Sequence, residues 1–154
     1  MISYDKPTLH DIDAMQQMVA PFVKDGTILK REDDEVATNI RSYITAKSGG
    51  EVIGYLALHI HTTTLAEIRS FIVAKQYRGQ GIGKQLVHEA KKEARTLGIS
   101  RILTLTYANL LEFFHAHGFV GVDKQEIPQQ KIWADCIKCI HFPSACNEYA
   151  LIYE

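Results

Sequence analysis

Residues 78–84 read Arg78-Gly79-Gln80-Gly81-Ile82-Gly83-Lys84, with glycine at every second position, and the rest of the chain is best placed outward from them. On the N-terminal side, Leu65 to Ala74 is a mainly apolar run of strand length. On the C-terminal side, Ile82, Leu86, Val87, Ala90, Ala94 and Leu97 share one helical face, and Gly98 stands where a C-terminal cap belongs. A Gly-rich turn between a strand and a helix N-terminus suits an anion. The glycines let a ligand approach the backbone, while the first-turn amides and the helix dipole favour negative charge, so a pyrophosphate is the natural guest. Two well-known nucleotide loops do not fit. A P-loop needs Gly where Arg78 sits and Ser or Thr where Gln85 sits, and a dinucleotide fingerprint needs another Gly where Leu86 sits.

Strand and helix signals alternate along the rest of the chain. Leu9, Ile12, Met15, Val19 and Phe22 predict a first helix, with Thr8 as its cap and its end near Pro21. Val36, Ile40, Tyr43 and Ile44 repeat the helical spacing and predict a second, ending before Ser48-Gly49-Gly50. Val52–Ile60 and Leu65–Ala74 read as a hairpin in a mostly buried sheet. A strand is expected over Arg101–Tyr107, then a short helix through Leu110, Leu111, Phe113 and Phe114 stopped at Gly118, then late strands at Phe119–Val122 and Tyr149–Tyr153. The sum is an α/β protein. No internal repeat or Pro/Ser-rich linker divides it, so residues 1–154 are expected to form one domain.

Composition excludes several classes. Seventeen Lys and Arg against 18 Asp and Glu give a net charge of -1, which builds no basic field for nucleic acid. At 46% hydrophobic and 23% charged, the chain is neither disordered nor fibrous. No apolar run approaches the roughly 18 residues of a membrane span, and the N-terminus lacks a signal peptide's basic flank, so no membrane partner and a cytoplasmic location are expected. Cys136, Cys139 and Cys146 are odd in number, which argues against a disulfide framework. With His141 they offer four zinc-ligand types. The expectation is nevertheless no metal, with the thiols packed beside Trp133 and Phe142 or forming a lid anchored by Lys131.

Three features together resemble the GNAT superfamily of N-acetyltransferases. Arg78, Gly81 and Gly83 match its Arg/Gln-x-x-Gly-x-Gly/Ala loop. The strand Ala66-Glu67-Ile68-Arg69-Ser70-Phe71-Ile72-Val73 carries an acidic residue ahead of that loop, and Phe114-His115-Ala116-His117-Gly118-Phe119 matches an aromatic-x-x-x-Gly-Phe ending. The resemblance implies a mixed, mostly antiparallel central sheet flanked by helices, with the fourth and fifth strands splayed. It implies acetyl-CoA as cosubstrate, held by Phe71, Ile72 and Val73 of the strand, by Arg78, Gly79, Gln80, Gly81, Ile82, Gly83 and Lys84 of the loop, and beside Phe114.

Within that superfamily the chain is similar to the short, single-domain bacterial N-acetylglutamate synthases. The carriers are Leu29-Lys30-Arg31, Asn39-Ile40-Arg41, Ala57-Leu58-His59, Leu105-Thr106-Tyr107, Glu112-Phe113-Phe114 and the tail Lys131-Ile132-Trp133-Ala134-Asp135-Cys136-Ile137-Lys138-Cys139 with Phe142-Pro143 and Cys146. This implies L-glutamate as acceptor and N-acetylglutamate as product, the first step of arginine biosynthesis. Glutamate's two carboxylates call for cations, and Arg31, Arg41, Arg69 and Lys131 are the candidates, against the ordinary alternative of solvated surface charge.

The acceptor amine must lose a proton before it attacks. Glu67 matches the superfamily's usual base, and burial would raise its pKa usefully; otherwise it is a strand-face salt bridge to Arg69 or a lysine. The tyrosine that usually protonates the thiolate is replaced by Phe114. Tyr107 is the substitute donor, although a tyrosine there also serves a core, and CoA thiolate can leave unassisted. His59 and His61 share a strand face and are expected to be structural or to line the cleft rather than to bind metal. Two alternatives stay open: transfer to another small amine, amino acid or peptide N-terminus, and an acetyl-CoA sensor without turnover. Exposed late strands also leave room for a homodimer.

Overall fold

The computed structural model describes residues 1–129, 131, 135–136 and 148–154. Its elements are β1 (Ile2–Asp5), α1 (Ile12–Lys24), α2 (Asp33–Thr38), β2 (Tyr43–Ser48), β3 (Glu51–Ile60), β4 (Leu65–Val73), α3 (Ile82–Leu97), β5 (Arg101–Thr106), α4 (Leu111–Ala116), β6 (Val120–Val122) and β7 (Tyr149–Tyr153). One sheet runs in the order β1-β2-β3-β4-β5-β7-β6. Every neighbouring pair is antiparallel except β4 with β5. The crossover between that parallel pair is α3, as a parallel connection requires.

Helix α3 lays Ile82, Leu86, Val87, Ala90 and Ala94 on one face of the sheet, against Ile44, Ala46, Leu56, Leu58 and Ile68. Each fully buried aliphatic side chain contributes about 1.5–3 kcal/mol. Gly98 ends the helix at φ 85°, as expected of a left-handed cap. The opposite face carries Met15 and Val19 of α1 against Tyr43, Tyr55, Ala57 and Ile72. Thr8 forms a reciprocal capping box with Asp11 around the 3-10 turn Leu9–Asp11, and α1 follows directly. It continues past Pro21 to Lys24, because proline removes only one donor there and the Pro21 carbonyl still accepts from Asp25 at 3.2 Å. No helix among the described residues is long and apolar enough to cross a membrane.

The expected second helix is only half right. Val36 belongs to α2, but Ile40 lies in a 3-10 turn, and Tyr43 and Ile44 begin β2. Tyr43 to Ala46 are all buried, since β2 is covered on both faces by α1 and α3. A strand buried on both sides loses the alternation that would have marked it.

Two irregularities in β4 make the site. Its pairing with β5 covers Leu65–Ile68 against Arg101–Thr104 and then ceases, although β4 continues to Val73. The strands splay from that point. Thr104 Oγ1 donates to the Ile68 carbonyl at 3.1 Å, closing the last rung. On the other edge, Ala57 faces Arg69 while Tyr55 faces Ile72, so Ser70 and Phe71 together stand opposite Leu56. This is a β-bulge. Ser70, at φ 55°, is the one non-glycine residue with positive φ among those described. The extra residue changes the strand's parity: Glu67 and Arg69 share one face, whereas Phe71 and Val73 pack into the α3 side.

Candidate functional site

The splay opens a cleft of about 830 Å³. One wall is β4 from Glu67 to Val73. Around it stand the Gly loop, the N-terminus of α3, the end of β5 with Tyr107, residues 26–31, and Lys131, Asp135 and Cys136. Among the described residues, the β5-facing edge of β4 beyond Ile68 has no strand partner. Phe71, Ile72 and Val73 all border the cleft, so their main-chain groups lie where an extended ligand would lie alongside the strand.

The Gly loop is shaped for close approach. Gly79 and Gly81 sit at φ 80° and 81°, and a Cβ on either would meet nothing within 4 Å, so the need is conformational and the space above is open. Gly83 is crowded instead, since its Cβ would lie 3.1 Å from Phe71 Cζ. The first turn of α3 has no acidic residue and no side-chain cap, which leaves its amides facing the loop. Arg78 donates from Nε to the Val73 carbonyl at 3.1 Å and lies 6.0 Å from the centre of the Phe22 ring. Gly79, Gly81, Ile82, Gly83 and Lys84 border the cleft, whereas Gln80 is exposed away from its wall, 3.5 Å from the Gln76 carbonyl. Phe114 is buried at the cleft floor, with ring centres 5.9 Å from Phe71 and 5.2 Å from Phe113 and Phe119.

At the other end of the cleft lies a buried ionic cluster. Asp135 receives Arg31 through both terminal nitrogens at 3.0 Å, Arg69 at 3.1 Å and Lys131 at 2.8 Å. Glu67 is 1% exposed; Lys131 Nζ lies 2.9 Å from one of its oxygens and His61 Nε2 2.9 Å from the other. Glu35 also accepts from Arg31 at 2.8 Å. Secondary structure explains the convergence. Glu67 and Arg69 are two apart on β4, His59 on β3 is paired with Glu67, and a main-chain hydrogen bond from Asp135 N–H to the Lys131 carbonyl at 2.9 Å holds that pair together.

Protonation follows from these contacts. Burial alone would push the Glu67 carboxyl up, but the charge of Lys131 and the His61 hydrogen bond outweigh it and hold Glu67 below its ordinary range. This corrects the expectation that burial raises it. Burial likewise opposes Asp135, yet Arg31 and Lys131 hold it well below the carboxylate range. Lys131 is raised because its two carboxylates overcome desolvation, and Arg69 is lowered by burial and by Arg31 beside it. His59 is pushed down to about 4 by burial and by the Arg69 charge.

Arg31, Arg69 and Lys131 therefore meet as expected. Arg41 does not: it is exposed in the 3-10 turn after α2, away from the cleft, with its carbonyl accepting from Lys6 at 2.7 Å. Its candidacy rested on the resemblance of Asn39-Ile40-Arg41 to the synthase pattern, and α2 ends at Thr38, ahead of that turn. Cys136 is partly exposed at the cleft, its thiol pushed up by burial. Cys139, Cys146, His141, Trp133 and Phe142 lie outside the described residues. Three parts of the cluster were not anticipated: Asp135, Glu35 and the bond from His61 to Glu67. Asp135 could have been found from its i,i+4 spacing to Lys131, whereas nothing local links His61 to Glu67.

The Acetyltransferase (GNAT) family model matches residues 9–119. The chain belongs to the GNAT acetyltransferase family. It is an acetyl-CoA-dependent N-acetyltransferase of the expected α/β architecture. An uncharacterized N-acetyltransferase of Chlorobaculum tepidum is 34% identical over 144 residues, covering 94% of this chain and 90% of that protein. The amino-acid acetyltransferase of Aeromonas salmonicida is 26% identical over 125 residues, 80% of this chain but 28% of that protein. Among solved structures, N-acetylglutamate synthase from Neisseria gonorrhoeae, complexed with coenzyme A and N-acetyl-glutamate, superposes with a TM-score of 0.86 at 23% identity, over 99% of this chain and 35% of that one. Rv2747 from Mycobacterium tuberculosis, complexed with CoA, superposes with a TM-score of 0.84 at 22% identity over 98% of both chains. This chain thus spans about a third or less of the amino-acid acetyltransferase and synthase chains it is similar to, and nearly all of the others.

Proposed function

We propose that residues 1–154 act as one cytoplasmic domain that transfers the acetyl group of acetyl-CoA to the α-amino group of L-glutamate, giving N-acetylglutamate and CoA by direct attack in a ternary complex. The observation that carries this reading is the meeting of Arg31, Arg69 and Lys131 with Glu67 at the end of the acyl cleft. Three buried cations need carboxylates beside them, and one brought by the acceptor would join those the protein supplies.

Acetyl-CoA supplies an acetyl thioester. The loop from Arg78 to Lys84 takes the pyrophosphate, and the open edge at Phe71, Ile72 and Val73 holds the arm so that the thioester lies near Glu67. Arg31, Arg69 and Lys131 orient the acceptor by its carboxylate charge and exclude water around its amine. Only a minor fraction of the acceptor's amine is neutral at pH 7, since a free amino acid's amine is more basic than a chain's N-terminal amine. As the C–N bond forms, that nitrogen becomes strongly acidic, so the Glu67 carboxylate can take its proton despite holding protons weakly. His61, bonded to the same carboxylate, is placed to share that charge. Tyr107, at the cleft wall, is the proposed donor to the leaving thiolate.

A second acceptor class is favoured by one observation. Glu67, Asp135 and the partly exposed Glu35 already offset the three cations, which leaves no surplus charge for a second carboxylate and suits an α-amino acid with a single one. A thiol-release assay with acetyl-CoA across the free amino acids decides between them. L-glutamate is expected to give the highest kcat/KM; a neutral amino acid in that place would move the assignment to the second class, and lysine or spermidine would overturn both.

A further inference from the structure

Arg31 and Arg69 each keep one buried donor without a partner among the described residues. In both arginines that donor is Nε. Their side chains are 7% and 9% exposed, so bulk water does not satisfy these groups. The terminal nitrogens are spent on carboxylates: both of Arg31 on Asp135, with one also on Glu35, and Nη1 of Arg69 on Asp135. An arginine held end-on by a carboxylate still presents Nε–H along its side, and a buried N–H without an acceptor is costly. Both residues border the cleft. The two guanidinium groups also share one aspartate, which fixes their relative orientation.

We infer that Asp135 is a positioning residue that stays in the site during turnover, locking Arg31, Arg69 and Lys131 so that the face of this cluster bordering the cleft receives one carboxylate of the acceptor. This rests on the acceptor proposed above and deepens it. Asp135 does not touch the substrate. It is a fixed internal counter-ion, and through it the specificity for a carboxylate over an amide is set by cations held in one arrangement rather than by loose positive charge. Lys131, shared between Asp135 and Glu67, ties that arrangement to the reacting end of the site.

An alternative role for the same residue predicts the opposite sign. Were Asp135 a stand-in that the substrate must displace, removing its charge would free the arginines and tighten acceptor binding.

The test is a competition assay on the full chain, with L-glutamate and each of its two monoamides, L-glutamine and L-isoglutamine, acetylated in one mixture. The ratio of kcat/KM values so obtained does not depend on how much of the enzyme is folded. Wild type is expected to reject at least one amide strongly. Asp135→Asn should lower that preference at least tenfold and raise the glutamate KM, with the KM for acetyl-CoA within twofold of wild type. Asp135→Glu, which keeps the charge on a longer arm, should recover part of the preference, and it carries the measurement alone if the asparagine variant does not fold. An unchanged preference in both variants, or a lower glutamate KM in Asp135→Asn, overturns the inference. If wild type itself does not distinguish glutamate from either amide, the acceptor proposal fails first.

Discussion

Gly81→Asp, paired with Gly81→Ala, separates the two physical contributions of the loop to acetyl-CoA binding. Both substitutions place a side chain at φ 81°, where an L-residue costs about 1–2 kcal/mol, and in neither case does the Cβ meet an atom within 4 Å. The alanine variant therefore reports the backbone strain. The aspartate variant adds a carboxylate that, with its amide-bound guest about 3 Å from the loop nitrogens, sits roughly 6 Å from the pyrophosphate charge. Against two negative charges the repulsion is about 1.4 kcal/mol at the dielectric of water and about 5 kcal/mol at the effective value of 20 used near protein surfaces. About tenfold in Kd is thus the least that the charge should cost beyond alanine. Titration calorimetry with acetyl-CoA at low and high salt measures it, and the gap between the variants should narrow as salt screens the charge. Equal affinities for the two variants, both folded by circular dichroism, would refute the placement of the pyrophosphate at this loop.

Further outcomes are expected. Glu67→Gln should lower kcat by roughly 10²–10⁴, the usual worth of a general base, with the KM for acetyl-CoA unchanged in steady-state kinetics; wild-type turnover would remove Glu67 from proton transfer. Arg31→Ala strips Asp135 of its two-pronged partner, and breaking a buried pair costs about 3–5 kcal/mol. The melting temperature should fall by roughly 10 °C, and a loss under 2 °C would mean the pair is not buried in solution. Glu67 and Asp135 are both held below their ordinary range by the fold, so the folded state binds fewer protons than the unfolded one in acid. Their contribution to stability is complete above a pH of about 4.5 and drains away as the pH falls through the lower folded values. Thermal melts should begin to decline below about pH 6.5, where His59 is protonated in the unfolded chain but not in the folded one, and drop more steeply below about 4.5 as the carboxylates of the cluster add their share; a level curve to pH 3 would contradict the ionic cluster.

The elements nearest the Gly loop were legible because each carries its own local marks. The loop's glycines, the apolar stripe of α3 and Gly98 are all chemistry of neighbouring residues, and so is the run of β3 and β4. Where the fold was misread, the cause was tertiary cover. Tyr43 and Ile44 belong to a strand buried on both faces, and the spacing from Val36 fits a helix equally well. Arg41 was a candidate through the resemblance of its segment alone, with no local signal for where the turn after α2 would carry it. Arg31, Arg69 and Lys131 were legible as cations an acidic substrate would need, but their shared counter-ion was not. Asp135 is 104 residues from Arg31 and 66 from Arg69, and no sequence period reports a contact at that distance. The lowered proton affinity of Glu67 was hidden too, because it depends on Lys131 arriving from the tail.

The short parallel seam also has a mechanical meaning. Strands β1 to β4 form one leaf of the molecule and β5, β6 and β7 another, and α3 lies under both, against Ile44, Leu56 and Ile68 of the first and Ile102 and Leu151 of the second. Among the described residues only the rungs between Leu65–Ile68 and Arg101–Thr104 join the leaves across the sheet itself, reinforced below by α3 and by the Phe71, Phe113 and Phe114 rings. Such a join is a hinge with a short pin. A ligand arm laid into the splay acts as an added rung and rivets the leaves at the end where the pin does not reach. Binding should therefore slow amide exchange along β5 and β7 as well as along β4, including at residues the ligand never contacts. Hydrogen–deuterium exchange with and without CoA would show it. Protection confined to the loop and Phe71–Val73 would mean that the leaves are already rigid without the rivet.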